Sequence, residues 1–398
     1  MRNIFFIGLI SFFTDLSTEM VYPLIPLYLV YTFGVTPVLV GIIEGIAESL
    51  ASLLKVYSGF LTDKFQKKKL IAFFGYAAGL VYKIVLIFAS SWLGILGAKI
   101  VDRLGKGIRT SPRDVLVSES TDSKNIGKAF GIHKALDMFG AAFGILIIYF
   151  IMRSSAGDYD YKRLFLLSII PAALGLLMFI FVKEKKRENV IQNEQKEILK
   201  PKISFLNNFK NIDNQLKLYL LVVFIFTLGN SSKAFMILKA VDTGFNQINV
   251  ILLFLIYHIT AAVLSIPLGK LSDKIGRKNL LVPGYIIFAL CYTGFAFAST
   301  RIEMIAVFTL YGIYTAMITG VERAFVAEIA PVDLKGTMLG LHSTVSGIAL
   351  LPASIIAGVL WDLYGSSVPF IFGASLALTA SIILIFFMKN TKNLFRKN

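Results

Sequence analysis

The chain predicts an all-α membrane protein of twelve transmembrane helices, arranged as two related six-helix bundles. Three observations lead there. Of its 398 residues, 56% are hydrophobic and only 16% are charged, too little polar surface for a water-soluble fold of this size. Apolar runs of about 20 residues, the length a helix needs to cross the hydrocarbon core, recur from end to end. The two halves also align with each other at an offset of about 210 residues.

The apolar runs place helices at about 4–32, 38–62, 70–90, 92–114, 126–152, 163–182, 216–240, 247–270, 279–299, 302–325, 336–363 and 367–388. This divides the chain into a first bundle (1–182), a basic linker (183–215) and a second bundle (216–398). Met1 to Phe6 run straight into an apolar stretch with no small-residue cleavage site after a short core, so a retained first helix is expected rather than a removed leader. Cys291 is the only cysteine, which rules out an internal disulfide.

The net charge of +16 follows topology. Lys and Arg crowd 64–69, Lys124 and Lys128, the linker, 270–278 and the tail, whereas the loops near Thr36, Ser90 and Ser366 carry almost none; Arg153, Lys162, Arg163 and Arg301 are the exceptions. The positive-inside rule then puts both termini and the linker in the cytoplasm. Anionic lipid accounts for the basic excess as a partner, and nucleic acid is not required.

The repeat is most legible in two stretches. Gly59-Phe-Leu-Thr-Asp63-Lys-Phe-Gln66-Lys-Lys matches Gly269-Lys-Leu-Ser-Asp273-Lys-Ile-Gly276-Arg277-Lys, and the run from Val117 to His133 matches that from Val326 to His342. A parallel repeat joined by a linker places a substrate site at the interface of the halves, near the bilayer midplane. These residues resemble the major facilitator superfamily, whose signature in the loops after helices 2 and 8 is Gly-x-Leu-x-Asp-x-x-Gly-Arg-Lys. The second copy is intact and the first has Gln66 in place of the second glycine. The resemblance covers the whole chain and implies a twelve-helix transporter, monomeric and without a cofactor, in the inner (cytoplasmic) membrane of a bacterial-type cell. It also implies a gating motif of Gly59, Asp63, Gly269, Asp273 and Arg277, with Asp63 paired to Arg109 or Arg113 at the end of helix 4.

Ionisable residues inside spans are costly and default to functional or paired roles. Asp15 and Glu19 share a face of helix 1, and Glu44, Glu48 and Lys55 a face of helix 2. Helix 4 carries Lys99, Arg103, Lys106, Arg109 and Arg113 on about a third of its circumference, with Asp102 among them. Helix 5 adds His133, Lys134 and Asp137; the second half offers much less, chiefly Lys233, His258, Glu322, Arg323 and His342. The expected proton-coupling and substrate residues are therefore Asp15, Glu19, Glu44, Glu48, Arg103, Lys106 and Asp137. Arg103 resembles the helix-4 arginine of proton-coupled members of the superfamily, and Asp15 and Glu48 head the carboxylates able to carry a proton. His133 and His342, at equivalent places in the repeat, are expected to be hydrogen-bonded structural residues. Tyr22, Tyr28, Tyr257 and Phe235 are candidates for cavity walls, and the small residues Gly131, Gly140, Ala141, Ala142 and Gly144 for close helix packing.

The resulting expectation is a proton-coupled exporter of a small molecule, an antiporter working by alternating access. The alternatives are a divalent-metal exporter using Asp15, Glu19, Glu48 and His133, an organic-anion carrier using the basic face of helix 4, and an uncoupled uniporter. The run Gly105 to Asp114 lacks P-loop order and follows no strand, and no His-Glu-x-x-His, Gly-x-Ser-x-Gly or metal-spaced cysteine set occurs, so an enzyme is not expected.

Overall fold

The computed structural model describes residues 2–65, 67–121, 126–155, 159–184, 214–330 and 335–388. Its first half contains α1 (Arg2–Glu19), α2 (Leu24–Phe33), α3 (Pro37–Phe65), α4 (Lys68–Phe88), α5 (Trp92–Glu119), α6 (Ile126–Ser154) and α7 (Tyr161–Leu177), the last extended by a 3-10 turn, Met178–Phe181. The second half contains α8 (Asn214–Gly229), α9 (Ala234–Asp242), α10 (Gln247–Ile275), α11 (Arg277–Phe297), α12 (Arg301–Ile318), α13 (Val321–Ile329), α14 (Lys335–Tyr364) and α15 (Val368–Phe387). Most of the linker, 185–213, and the tail from 389 lie outside the described residues.

Each expected span is present, and three of them are broken. The first is α1 plus α2, the seventh α8 plus α9, the tenth α12 plus α13. Among the described residues eleven segments are apolar and long enough to cross a membrane. The remaining span, the fourth, is α5, whose 28 residues reach about 42 Å at 1.5 Å per residue. Its charges keep it out of an apolar count because it faces protein rather than lipid: Lys99, Asp102, Arg103 and Arg109 are all buried. The outer surface carries the large apolar side chains instead, among them Phe74, Phe88, Phe150, Ile302 and Phe386. On a soluble protein such exposure would be a liability; around a bundle it faces hydrocarbon, and the chain is a multi-pass membrane protein.

Packing follows the repeat. α4 packs on α5 and α1 on α6 in the first half, as α11 packs on α12 and α8 on α14 in the second. The halves meet where α3 packs along α14 and α6 along α10. α3 is the second span and α14 the eleventh, so each half offers its second and fifth span to the other. Gly41 permits part of this: a Cβ there would strike the Ser354 carbonyl oxygen and sit 3.1 Å from the Phe235 ring. Val38 N–H donates to Asp362 at 3.3 Å and Tyr161 O–H to Gln247 at 2.7 Å, both at the end opposite the chain termini. At the terminal end Ile4, Ile7, Ile10, Tyr76, Leu116 and Phe179 form a separate apolar cluster of the first half alone.

Candidate functional site

Two of the helix breaks build the site. In the first span Pro23 has no N–H to give and its ring crowds the preceding turn, so α1 ends at Glu19 and the chain turns through Met20 to Pro23 before α2. In the seventh span no proline is involved. Asn230, Ser231, Ser232 and Lys233 interrupt the helix, and the Ser232 hydroxyl accepts from the Ala234 N–H at 3.2 Å, the local competition with backbone pairing typical of short polar side chains. The breaks are 210 residues apart and face each other across a cavity of about 270 Å³. That is near the lower end of small-molecule sites, roughly 300–1,000 Å³. Interrupted helices at the midplane of paired repeats are where transporters hold their cargo.

Thr18, Glu19 and Tyr22 line the cavity from the first break and Asn230 to Lys233 from the second; Glu48, Arg103, Lys106, Phe254, His258, Tyr311 and Leu350 complete the wall. Arg103 holds Glu48 at 2.8 Å and lies 3.6 Å from Asp102. The arginine is buried, whereas 29% of the Glu48 side chain remains open to the cavity. Lys233 donates to the Tyr257 hydroxyl at 2.6 Å and sits 4.7 Å from that ring's centre. His258 faces Glu19 at 3.8 Å. Lys106 makes no hydrogen bond or ion pair with another described side chain.

The expected site residues separate into three groups. Glu19, Glu48, Arg103 and Lys106 line the cavity. Glu44 does not; it forms a fully buried ion pair with Lys99 behind the wall. Asp15 and Asp137 also lie off the cavity, on the α1–α6 seam. There Gly140 and Gly144 let α6 press against the Phe12 and Leu16 carbonyls, where a Cβ would collide. The close approach sets Asp15 beside Asp137, with Lys134 on Asp137 at 2.7 Å.

Asp15, Glu19, Glu48 and His133 are not gathered as a metal site, and among the described residues no three His, Cys, Asp or Glu side chains are. His133 is instead bonded to the Ser11 hydroxyl at 2.8 Å, the structural role expected of it. Of the gating motif, Gly59, Asp63 and Asp273 lie outside the residues whose side-chain surroundings are described, so the pairing of Asp63 does too. Arg109 stacks on Tyr76 at 4.5 Å and Arg113 pairs with Asp114. Gly269 has open space around it. Arg277 donates to the Ala324 carbonyl and pairs with Glu328 at 3.3 Å, and at the equivalent place Lys68 holds Glu119 at 2.5 Å. Of the aromatic candidates only Tyr22 lines the cavity. Tyr28 packs against Tyr161 and Phe165, Phe235 against Trp361, and Tyr257 serves through Lys233. Asn230, Ser231 and Ser232 were missed by sequence reasoning; a polar run inside an otherwise apolar span was the available signal.

A charged cavity between two related helical bundles is the arrangement of a membrane transporter. The Major Facilitator Superfamily model matches residues 7–246 and 219–397, and the chain belongs to that family. It is 37% identical to the uncharacterized MFS-type transporter MJ1317 of Methanocaldococcus jannaschii, over 97% of this chain and 94% of that one. It is 23% identical, over the same shares, to a multi-drug resistance efflux pump PmrA homolog of Lactococcus lactis subsp. lactis. Among solved structures, a D-xylose-proton symporter superposes with a TM-score of 0.78 at 16% identity, covering 98% of both chains. The nucleoside transporter NupG gives 0.78 at 11% identity, covering 97% of this chain and 98% of that one. These two share the fold.

Proposed function

We propose that the protein is a proton-coupled exporter, an antiporter that carries a small molecule out of the cell by alternating access, with both termini in the cytoplasm. The Glu48–Arg103 pair carries this reading. Its arginine is buried and its carboxylate open to the cavity, so a proton arriving through the cavity neutralises Glu48 and releases Arg103. A buried ion pair adds little stability over an apolar pair but is costly to break, which suits a contact that holds one conformation until it is titrated. The sealed end opposite the termini supports a cavity facing the cytoplasm in this structure. The resemblance to a multi-drug efflux pump along the whole chain supports export.

The test is transport of a solute panel in proteoliposomes under an imposed pH gradient. Wild-type protein moves its substrate with the gradient, whereas Glu48→Gln still exchanges labelled for unlabelled substrate but no longer responds to it. Full gradient dependence in Glu48→Gln refutes the assignment.

One observation favours a second reading. Arg103, Lys106 and Lys233 outnumber Glu19 and Glu48 on the cavity wall, and a solute carrying one negative charge would balance them. Protonating a wall carboxylate would then tighten binding, so an anion and a proton would travel together rather than in exchange. Thermal stabilisation of the purified protein by aromatic carboxylates, and not by their amides, would select this reading.

A further inference from the structure

The third helix break, in the tenth span, has no part in the cavity. The chain leaves α12 at Thr319 and passes through Gly320 at φ +93°, a left-handed value that favours glycine. Glu322 then sits in the first turn of α13. Its Oε1 accepts from the Tyr285 hydroxyl at 2.8 Å, and its Oε2 lies 3.9 Å from His342 Nε2. Tyr219 stacks on the imidazole, with ring centroids 6.4 Å apart. Both His342 Nε2 and the Tyr219 hydroxyl are buried without a hydrogen-bond partner among the described residues. Such orphans are rare in folded proteins and call for an explanation.

The repeat supplies one. At an offset of 209 residues Tyr285 corresponds to Tyr76, His342 to His133 and Glu322 to Arg113. In the first half the histidine is satisfied by the Ser11 hydroxyl, which also meets the Tyr76 hydroxyl at 3.2 Å, and Arg113 turns away to Asp114. In the second half, at the 210-residue offset that relates the two breaks of the first and seventh spans, Leu221 takes the place of Ser11. The hydroxyl is gone, and the imidazole faces a carboxylate that has replaced a cation. A closed structural network has become an acid–base pair with an unfilled gap.

We propose that Glu322 and His342 form a proton-binding site in the second half. The proposal rests on the proton-coupled reading and extends it beyond the cavity. One proton bridges Glu322 Oε2 and His342 Nε2, borne by the carboxyl as donor to the neutral ring or by the ring as donor to the carboxylate. No other bond changes. Closing 3.9 Å to hydrogen-bond distance takes a movement of roughly 1 Å. Glu322 keeps 20% exposure, which admits the proton. The other ionisable groups facing the pair are Tyr285 of α11, Tyr219 of α8, Tyr314 of α12 and Arg323 of α13 itself. α13 has nine residues. It is hinged at Gly320 and clasped further along by Arg277, so the proton pulls the helix against the end of the signature loop, where Arg277 starts α11.

Infrared difference spectra of the reconstituted protein, taken between alkaline and acidic pH, test the site without a substrate. Wild type gains a protonated-carboxyl band on acidification. Glu322→Gln loses one component of it, Glu322→Asp retains a shifted one, and both remain monodisperse. His342→Asn moves the pH midpoint of the Glu322 component, whereas His133→Asn leaves it in place. Identical spectra for wild type and Glu322→Gln overturn the site, and an unmoved midpoint in His342→Asn overturns the pairing. Glu48→Gln separates this proposal from the cavity reading. If its solute movement still follows the pH gradient while the Glu322 component is present, the cavity assignment fails and the site stands.

Discussion

At one place in the first half Glu44 of α3 and Lys99 of α5 form a buried ion pair; at the corresponding place in the second half Phe254 of α10 meets Phe308 of α12, ring centroids 6.1 Å apart. The exchange continues along the same faces. Glu48 corresponds to His258 and Asp102 to Tyr311. The two halves thus solve one packing problem in two ways, with charge against charge and with ring against ring. Paired charges are no better than apolar packing at holding helices together, so stability does not explain why one half is charged. Charges can exchange partners and rings cannot, so under the proposed proton-coupled cycle the first half would be the moving contact and the second its aromatic counterpart. The Glu322–His342 pair is where the second half departs from that division.

The largest test of this comparison is the Glu44–Lys99 pair, both of whose side chains are 3% exposed or less. Lys99→Met should cost about 3–5 kcal/mol by stranding a buried carboxylate, read as a drop in thermal unfolding temperature in detergent. Adding Glu44→Leu should recover most of the loss, because the site then resembles its ring-lined counterpart. A double variant as unstable as the single would break the equivalence. Next in size is Gly41→Val, which forces a branched side chain into the Ser354 backbone and should cost about 1–3 kcal/mol. The loss should fall on the seam between halves, so cross-linking across α3 and α14 would drop more than unfolding temperature does.

Smaller effects sharpen the symmetry at the terminal end. Lys68→Gln and Arg277→Gln remove matching, partly exposed ion pairs and should each cost about 0.5–1 kcal/mol, the second more because Arg277 also bonds the Ala324 carbonyl. The smallest difference lies at the caps of the fourth and tenth spans. Ser91 caps α5 through the Gly94 N–H alone, whereas Thr300 caps α12 in a full capping box with Glu303. Thr300→Ala should cost about 1 kcal/mol and Ser91→Ala less, measured as paired unfolding curves.

Much of this was legible in the chain. Apolar runs located the lipid-facing spans because lipid demands about 20 apolar residues, and the doubled motif exposed the repeat. Arg103 and Glu48 were expected at the site because charges inside spans are costly. Partners were not legible. Glu44 and Glu48 are one turn apart on a single face, yet one is buried against Lys99 and the other opens to the cavity; only the approach of α5 separates them. Asp15 looked like a cavity residue until Gly140 and Gly144 brought α6 against it. Pro23 explains the first break once it is seen, but the breaks at Asn230 and Thr319 carry no proline and depend on side-chain bonds and tertiary packing.

The proposed proton-coupled cycle would have the halves rock about the cavity as protons come and go. Thr36 and Asn246 are equivalent, exposed positions at the sealed end, suited to spin labels on Thr36→Cys and Asn246→Cys with the buried Cys291 replaced by alanine. Pulsed electron-paramagnetic distance measurements in lipid should give one short separation at alkaline pH and a second, longer population at acidic pH, lost when Glu48 is replaced by glutamine. A single distribution unchanged across the pH range would contradict the account.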